Sequence, residues 1–370
     1  MSETPREVLA RVDEELRALW AAAPRPGEVP RARACTVNLI VVADSPALAE
    51  AFVPVVEDVV QSMPARALVV GLDPDGADGL EADVSAVCAP APDGRGAVCS
   101  ERVHFVARGA ACVRVPSVLS TLCRSDVPTT LVWLGHVHAD DPTFAPLARD
   151  AARIVLDAAH GSLASIANVV YWARARAAAE RPGVADLAWT RLAPWQELCA
   201  RLFDEPRLRP LAGGVTHLTI TQASSPGAPL AADGALLLGW LATRLGWRAA
   251  AYAGKLRLLR ADGGTMSVAL RSQPAGAVTS EALQAVRLEA RAGDLAMTGE
   301  IARDADAATW RLEVHPAGGE PSRLEHRVRL WSTGTGRLLE RTLRRPAHDH
   351  ALAEAVAWAD ELRGEELACC

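Results

Sequence analysis

Cys35-Thr36-Val37-Asn38-Leu39-Ile40-Val41-Val42-Ala43 is an unbroken apolar run rich in β-branched residues, the pattern of a strand covered on both faces. A strand of that kind belongs at the centre of a parallel sheet. Immediately after it, Asp44-Ser45-Pro46 opens a helix in which Leu48, Phe52, Val55, Val56 and Val59 share one face, and Ala65 to Gly71 reads as the next strand. Strand, helix and strand make a βαβ unit. Upstream, Thr4-Pro5-Arg6-Glu7 has the form of a capping box with proline at the first helical position. It leads a helix whose apolar stripe is Val8, Val12, Leu16, Leu19 and Trp20, and a linker from Pro24 to Arg33 follows.

Downstream, Leu80 to Pro90 and Ala97 to Arg108 flank the turn Pro92-Asp93-Gly94 as a hairpin or sheet-edge extension. Helices are expected over 110–123, 143–150 and 162–178, with strands over 128–135 and 153–157 between them. The alternation predicts a doubly wound α/β domain over residues 1–180, Rossmann-like, with a mainly parallel sheet and an N-terminal helix.

Arg181-Pro182-Gly183 then breaks the chain, and Asp186-Leu187-Ala188-Trp189-Thr190-Arg191-Leu192-Ala193-Pro194-Trp195 reads as a short strand running into a helix that starts at Pro194. Asp186, Trp189, Arg191 and Trp195 are the candidate residues here, for a partner interface or for a structural junction. Tryptophan and arginine dominate binding hot spots. Large aromatics are also mostly buried, so core packing is the expectation for the two tryptophans, and the exposure of Arg191 is what discriminates.

Beyond the junction the rhythm changes. Gly214 to Thr221 alternates as a strand, and Ala231 to Leu245 is a strongly apolar helix closed by Gly246. Strand-like runs follow over 249–253, 255–260, 265–271, 285–291, 295–302, 309–315 and 323–331, and helical patterns close the chain around 336–344 and 351–362. Strands without intervening helices indicate an antiparallel meander, so residues 181–370 are expected to form an α+β domain.

The chain has 370 residues and a net charge of −6 with both signs scattered, which leaves no basic footprint for nucleic acid. No apolar run approaches the roughly 20 residues of a spanning helix. The charged N-terminus does not read as a secretion signal, so no membrane partner and a cytoplasmic location are expected. Eight cysteines, at 35, 88, 99, 112, 123, 199, 369 and 370, contain no Cys-x-x-Cys pair. They are expected to be small core residues, apart from a frayed tail at Cys369-Cys370, with no disulfide framework.

Signatures of chemistry are sparse. The first strand-to-helix turn carries Ala43-Asp44-Ser45-Pro46 where a nucleotide fold carries glycines, and an aspartate there would repel phosphate. Gly334-Thr335-Gly336-Arg337 reads as a turn before a helix. His136-x-His138 with Asp140-Asp141, and His348-Asp349-His350, have ligand-like residue types, but neither shows a third ligand, so no metal is assigned. There is no Gly-x-Ser-x-Gly elbow. No catalytic residue and no cofactor are assigned.

The junction segment resembles the Asp-Leu-x-Trp-x-Arg-x-x-x-Trp signature of OpcA, the glucose-6-phosphate dehydrogenase assembly protein family of bacteria. The resemblance extends to Val127-Pro-Thr-Thr-Leu-Val-Trp133, to Arg153-Ile-Val-Leu-Asp157 and to Leu237-Leu-Gly-Trp240-Leu-Ala-x-Arg-Leu-Gly-Trp247, in the family's order over most of the chain. It implies a non-catalytic accessory protein that binds glucose-6-phosphate dehydrogenase and favours its active oligomer in the oxidative pentose phosphate pathway. His136-x-His138 departs from the aromatic and Pro-Gly expected there, and the cysteines map onto no redox pair of the family. A regulatory module for a weakly bound sugar phosphate or a nucleotide, and an enzyme without a recognisable signature, remain as alternatives.

Overall fold

The computed structural model describes residues 4–21, 30–91, 94–158, 160–224, 230–250, 256–274, 283–304, 307–329 and 334–362. By internal contacts the chain divides into two units, 1–187 with 333–349 and 188–332 with 350–370. In sequence the first unit thus runs to Leu187 and includes the later segment 333–349.

The first unit runs α1 (Pro5–Ala21), β1 (Arg31–Arg33), β2 (Val37–Ala43), α2 (Pro46–Ser62), β3 (Ala65–Asp73), β4 (Gly79–Pro90), β5 (Ala97–Arg108), α3 (Val115–Leu122), β6 (Thr129–Leu134), α4 (Phe144–Asp150), β7 (Arg153–Asp157), α5 (Leu163–Arg174) and β8 (Gly183–Asp186). Its eight-stranded sheet has the order β5-β3-β2-β6-β7-β8, with β1 and β4 both paired to β5. Every pairing is parallel except β4 with β5. All seven residues of β2 are buried, as its continuous apolar run predicts.

Polar ties fix the periphery of this sheet. Asn38, fully buried on β2, donates from Nδ2 to the Arg124 carbonyl at 2.8 Å and accepts the Arg124 N–H at Oδ1, 2.9 Å, holding the loop before β6. Glu101 is buried on β5, where it receives Arg66 at 2.7 Å, Arg33 at 2.8 Å and the Trp20 indole N–H at 2.7 Å. A buried carboxylate with two guanidinium partners and an indole donor is neutralised and hydrogen-bonded, the condition under which burial is tolerated.

The unexpected tenant of this unit is α10, which runs Thr335–Arg344 and packs on α2. Leu339 enters the same apolar cluster as Leu39, Val56, Val69 and Leu187. The Arg153 guanidinium at the start of β7 donates to three carbonyls at the C-terminus of α10, those of Thr342, Leu343 and Arg345, at 2.8, 2.7 and 2.6 Å. Last-turn carbonyls have no partner inside a helix and carry its negative end, so a guanidinium is suited to that place. Gly183 allows the following chain to come close, since a Cβ there would lie 2.1 Å from the Ala347 carbonyl oxygen.

The second unit contains α6 from Ala188, α7 (Ala193–Arg201), α8 (Arg209–Gly213), β9 (Val215–Ala223), α9 (Ala232–Leu245), β10 (Arg248–Ala249), β11 (Arg257–Leu259), β12 (Thr265–Gln273), β13 (Leu283–Ala292), β14 (Leu295–Asp304), β15 (Ala307–Pro316), β16 (Ser322–Arg329) and α11 (His350–Glu361); α6 itself spans Leu187–Arg191. Its sheet has the order β10-β11-β12-β9-β13-β14-β15-β16 and is antiparallel throughout except between β12 and β9. The exception has a local cause: α9 intervenes after β9, and a helical crossover returns the chain parallel to the strand it left. Gly246, at φ 68°, ends α9 in the left-handed conformation expected of a C-cap glycine. Gly239 lets α11 approach α9, because a Cβ there would stand 2.3 Å from the Ala355 carbonyl oxygen.

Three local expectations change. The junction helix begins at Leu187, not at Pro194; proline 194 only divides it, because a residue without an N–H cannot continue the ladder and a second helix starts at Ala193. The helix after Ser162 ends at Arg174. Finally, Cys88 and Cys99 are disulfide-bonded, at directly opposed positions of the β4/β5 ladder with Cα atoms 4.0 Å apart. The expectation of no disulfide is corrected by that pairing, since the antiparallel register of the hairpin sets two residues 11 apart in sequence side by side. Strand expectations at 251–253, Lys255 and 330–331, and the Cys369-Cys370 tail, lie outside the described residues.

Candidate functional site

In an open parallel sheet, ligands bind beyond the carboxyl ends of the strands where the strand order reverses. Here that point lies between β2 and β6. The order β5-β3-β2-β6-β7-β8 is that of a dinucleotide-binding sheet. The two strand ends deliver Asp44 and Gly135 to the same place.

Asp44 is bound to β6 at both ends. Its backbone N–H donates to the Leu134 carbonyl at 3.1 Å, and its Oδ2 accepts the His136 N–H at 3.3 Å. The carboxylate lies over Gly135, where a Cβ would stand 2.0 Å from Oδ2, and Gly135 has φ 108°. Two requirements therefore select glycine at 135: backbone conformation and space. Next, Ser45 caps α2 by accepting the Leu48 N–H at Oγ, 3.4 Å, and Pro46 takes the first helical position. A helix start with free N–H groups attracts anions, and here the chain supplies its own carboxylate beside it. A phosphate would meet negative charge where a nucleotide fold offers glycine N–H groups.

His138 is engaged in local structure. After Gly135 the loop is pinned to α5, with the Val137 N–H donating to Ser165 Oγ at 3.1 Å and the Ala139 N–H to Asn168 Oδ1 at 2.7 Å. That second bond orients the amide so that Asn168 Nδ2 donates to His138 Nε2 at 3.0 Å, leaving Nδ1 to hydrogen-bond Asp140. The contact with His138 holds the Asp140 carboxyl below its usual range. Asp141 caps α4 by accepting the N–H groups of Thr143 and Phe144 at 2.8 and 2.9 Å. Among the described residues no three His, Cys, Asp or Glu side chains are grouped as a metal ion would require.

Two further carboxylates stand at the ends of neighbouring strands. Asp157, buried at the end of β7, contacts His160 Nδ1 at 3.0 Å. Asp186, fully buried at the end of β8, accepts the Ala158 N–H at 3.0 Å. Asp186 thus serves the turn after β7. Of the other junction residues, Trp189 and Trp195 are buried and Arg191 is partly exposed. No shared site gathering all four emerges. Sequence reasoning passed over Asn168, Asp157 and His160; only the strand-end position of Asp157 could have signalled any of them.

Cys112, Cys123 and Cys199 are poor nucleophiles. Burial pushes Cys123 up to about 11 and Cys199 up to about 12, and it raises Cys112 as well. A cleft of about 620 Å³ opens between α3 and α4 at the opposite end of the sheet, with Ser117, Ser120 and Ser125 at its polar side and Pro116, Pro146 and Leu147 at its apolar side. Arg124 borders it but is already engaged by Asp126, at 2.8 and 3.1 Å. Among the described residues no helix is long and apolar enough to cross a membrane.

A doubly wound sheet whose switch point is occupied by its own aspartate, followed in the chain by a mixed-sheet unit, defines a two-unit protein that keeps a nucleotide-fold scaffold without its phosphate loop. The chain belongs to the OpcA family. Residues 56–179 match the glucose-6-phosphate dehydrogenase subunit N-terminal domain and residues 182–356 the corresponding C-terminal domain. An OpcA protein of Synechocystis sp., whose name assigns it to the OxPP cycle, is 24% identical over 324 residues, covering 82% of this chain and 64% of the relative. The namesake from Nostoc punctiforme is 29% identical over 183 residues, 47% of this chain and 36% of that protein. The chain therefore spans less than two thirds of the length of these relatives. A solved oxidoreductase from Sinorhizobium meliloti aligns over 88% of this chain and 96% of its own at 9% identity and a TM-score of 0.46, a level from which no shared chemistry follows.

Proposed function

We propose that this protein is a non-catalytic accessory subunit of glucose-6-phosphate dehydrogenase, acting in the oxidative pentose phosphate pathway by binding the dehydrogenase and favouring its active oligomer. The observation that carries the reading is the pair of family matches, in order, over residues 56–179 and 182–356. The Asp44 carboxylate over Gly135 supports its non-catalytic part, because the crevice where such a sheet would bind a dinucleotide is lined by the wrong charge.

A partner shifts an oligomerisation equilibrium only by its differential affinity for the two states. Activation therefore requires tighter binding to the competent form, with no chemistry by this chain. The test is to assay the cognate dehydrogenase with and without the protein across substrate concentration, alongside size-exclusion chromatography of the mixture. Co-elution and a higher activity are expected. Unchanged activity with separate elution refutes the reading.

A further inference from the structure

An antiparallel sheet often leaves one face to water, and the sheet of the second unit has such a face. Its inner side is covered by helices: Trp310 donates its indole N–H to the Leu198 carbonyl of α7 at 3.1 Å, and Ile220 lies against Gly234 of α9. The outer side carries the alternate residues of the same strands. There the side chains of Arg287, Glu289, Arg311 and Glu313 are 47, 41, 39 and 40% exposed, so no element among the described residues lies over them. Beside them Thr221, Ala285, Ala302 and Thr309 form a row of short side chains across four strands. A second layer can approach such a surface to the roughly 10 Å of packed sheets.

The charges on this face are ordered. Ladder register aligns Arg287, Glu300, Arg311 and Glu325 in one row across β13, β14, β15 and β16, and Glu289, Thr298, Glu313 and Arg323 in the next. Arg287 and Arg311 are already paired within the chain, with Glu289 at 3.1 Å and Glu325 at 3.0 Å, so these rows offer no surplus charge to an acidic or a basic partner. A second copy of the face needs none. When it is turned over the first by a two-fold axis running across the strands between the two rows, each residue meets its neighbour two positions along the same strand. Arg287 then meets Glu289, Arg311 meets Glu313, Glu325 meets Arg323 and Glu300 meets Thr298. The internal pair of Arg287 and Glu289 becomes half of a square of four alternating charges, and in the next rows outward Ala302 meets Ala296 and Thr309 meets His315. An axis along the first row would set Arg287 on Arg287, and one along β14 would set Arg287 on Arg311, like charges that repel.

The face is also large enough. Six strands, β12, β9 and β13 to β16, at about 4.8 Å spacing and with about eight residues of about 3.3 Å each, cover roughly 750 Å² per copy. Two copies would bury about 1,500 Å², within the roughly 1,200–2,000 Å² of a specific interface. We propose that the outer face of this sheet is a two-fold interface with a second copy of this chain, registered by Arg287 against Glu289 and Arg311 against Glu313. The proposal goes beyond the accessory role and does not rest on it. An interface matched by charge and not by apolar surface binds modestly and weakens as salt screens it.

Sedimentation velocity of the full chain, from about 1 to about 100 µM and at about 0.05 and 0.5 M salt, tests it. Expected is a concentration-dependent dimer at low salt that weakens about tenfold or more at high salt. Arg287→Glu, which brings four carboxylates together, should weaken it about tenfold or more at an unchanged urea midpoint. Combining Arg287→Glu with Glu289→Arg should restore it to within about threefold, because in an isologous contact the exchange re-forms the same square in both copies. Loss with the first variant and recovery with the second uphold the proposal. A chain that stays monomeric at low salt overturns it, and so does a dimer that is indifferent to Arg287→Glu or that the exchange fails to restore. Should Arg287→Glu not fold, Glu289→Arg, which brings four arginines together, is read in the same way.

Discussion

Replacing Arg153 by alanine should release α10 from the first unit's sheet. Arginine 153 makes three hydrogen bonds of 2.6 to 2.8 Å to the terminal carbonyls of that helix. A hydrogen bond to a charged group contributes about 1.5–3 kcal/mol, so three would give roughly 4.5–9 kcal/mol if independent. Three corrections reduce that figure. The bonds share one guanidinium and are not additive, the carbonyls regain water once the side chain is gone, and Arg153 carries a cost of desolvation that lowers its own pKa. A net loss of about 2–3 kcal/mol is expected, near the upper part of the range for single substitutions. Because the chain has two units, a single global melting free energy is a poor readout, and amide exchange over 335–344 should be followed with urea unfolding. Arg153→Lys should recover less than half, since one ammonium cannot reproduce a planar fork reaching carbonyls from Thr342 to Arg345. If Arg153→Ala leaves α10 exchange unchanged and costs under about 0.5 kcal/mol, the helix is held by Leu339 and its neighbours alone.

Three shorter predictions follow from other parts of the fold. Cys88→Ser should lower stability by about 1–3 kcal/mol, the disulfide closing a loop of 11 residues between strands already joined by a full ladder, and thiol titration in denaturant should find at least two fewer thiols before reduction than after it. Gly239→Ala should cost about 1–3 kcal/mol by forcing α9 and α11 apart, whereas Gly263→Ala, at φ 82° with open space around it, tests backbone strain without a clash; equal unfolding midpoints for wild type and Gly239→Ala would contradict the close approach. His104 has its pKa lowered from 6.5, chiefly by burial, and its Nε2 is buried without a hydrogen-bond partner. The native state therefore binds that proton more weakly than the unfolded chain, so stability is full above pH about 6.5 and falls as pH drops through the depressed native value. Urea midpoints of wild type and His104→Gln should converge or cross on acidification from pH 7 to pH 5, and a constant difference would refute the assignment.

Much of the architecture was legible because its signals are local. The run Val37 to Ala43 reports burial on two faces directly, Ser45-Pro46 marks a helix start, and Gly246 marks a helix end in the left-handed conformation. What sequence reading missed depends on residues far apart in the chain. The return of α10 rests on Arg153 reaching carbonyls about 190 residues downstream, and no local pattern distinguishes that arginine from its surface counterparts. The disulfide is an intermediate case: Cys88 and Cys99 stand nearly symmetrically about Pro92-Asp93-Gly94, so the predicted hairpin already implied their opposition once its register was followed. The parallel pairing of β9 with β12 was likewise implied by α9 but hidden by the run of strands after it.

The candidate site shows the same division and explains why absent motifs were informative. Asp44 could be read as repelling phosphate, but its sequence position alone did not say whether the carboxylate faces the crevice. Gly135, 91 positions away, answers that: only glycine fits beneath the carboxylate, and the His136 N–H that follows holds it there. The missing glycine loop and the glycine that follows β6 are thus two sides of one arrangement, in which the crevice is built from complementary residues. A phosphate-binding crevice directs N–H groups at an anion, whereas here the Asp44 carboxylate lies over Gly135 and is held by the His136 N–H.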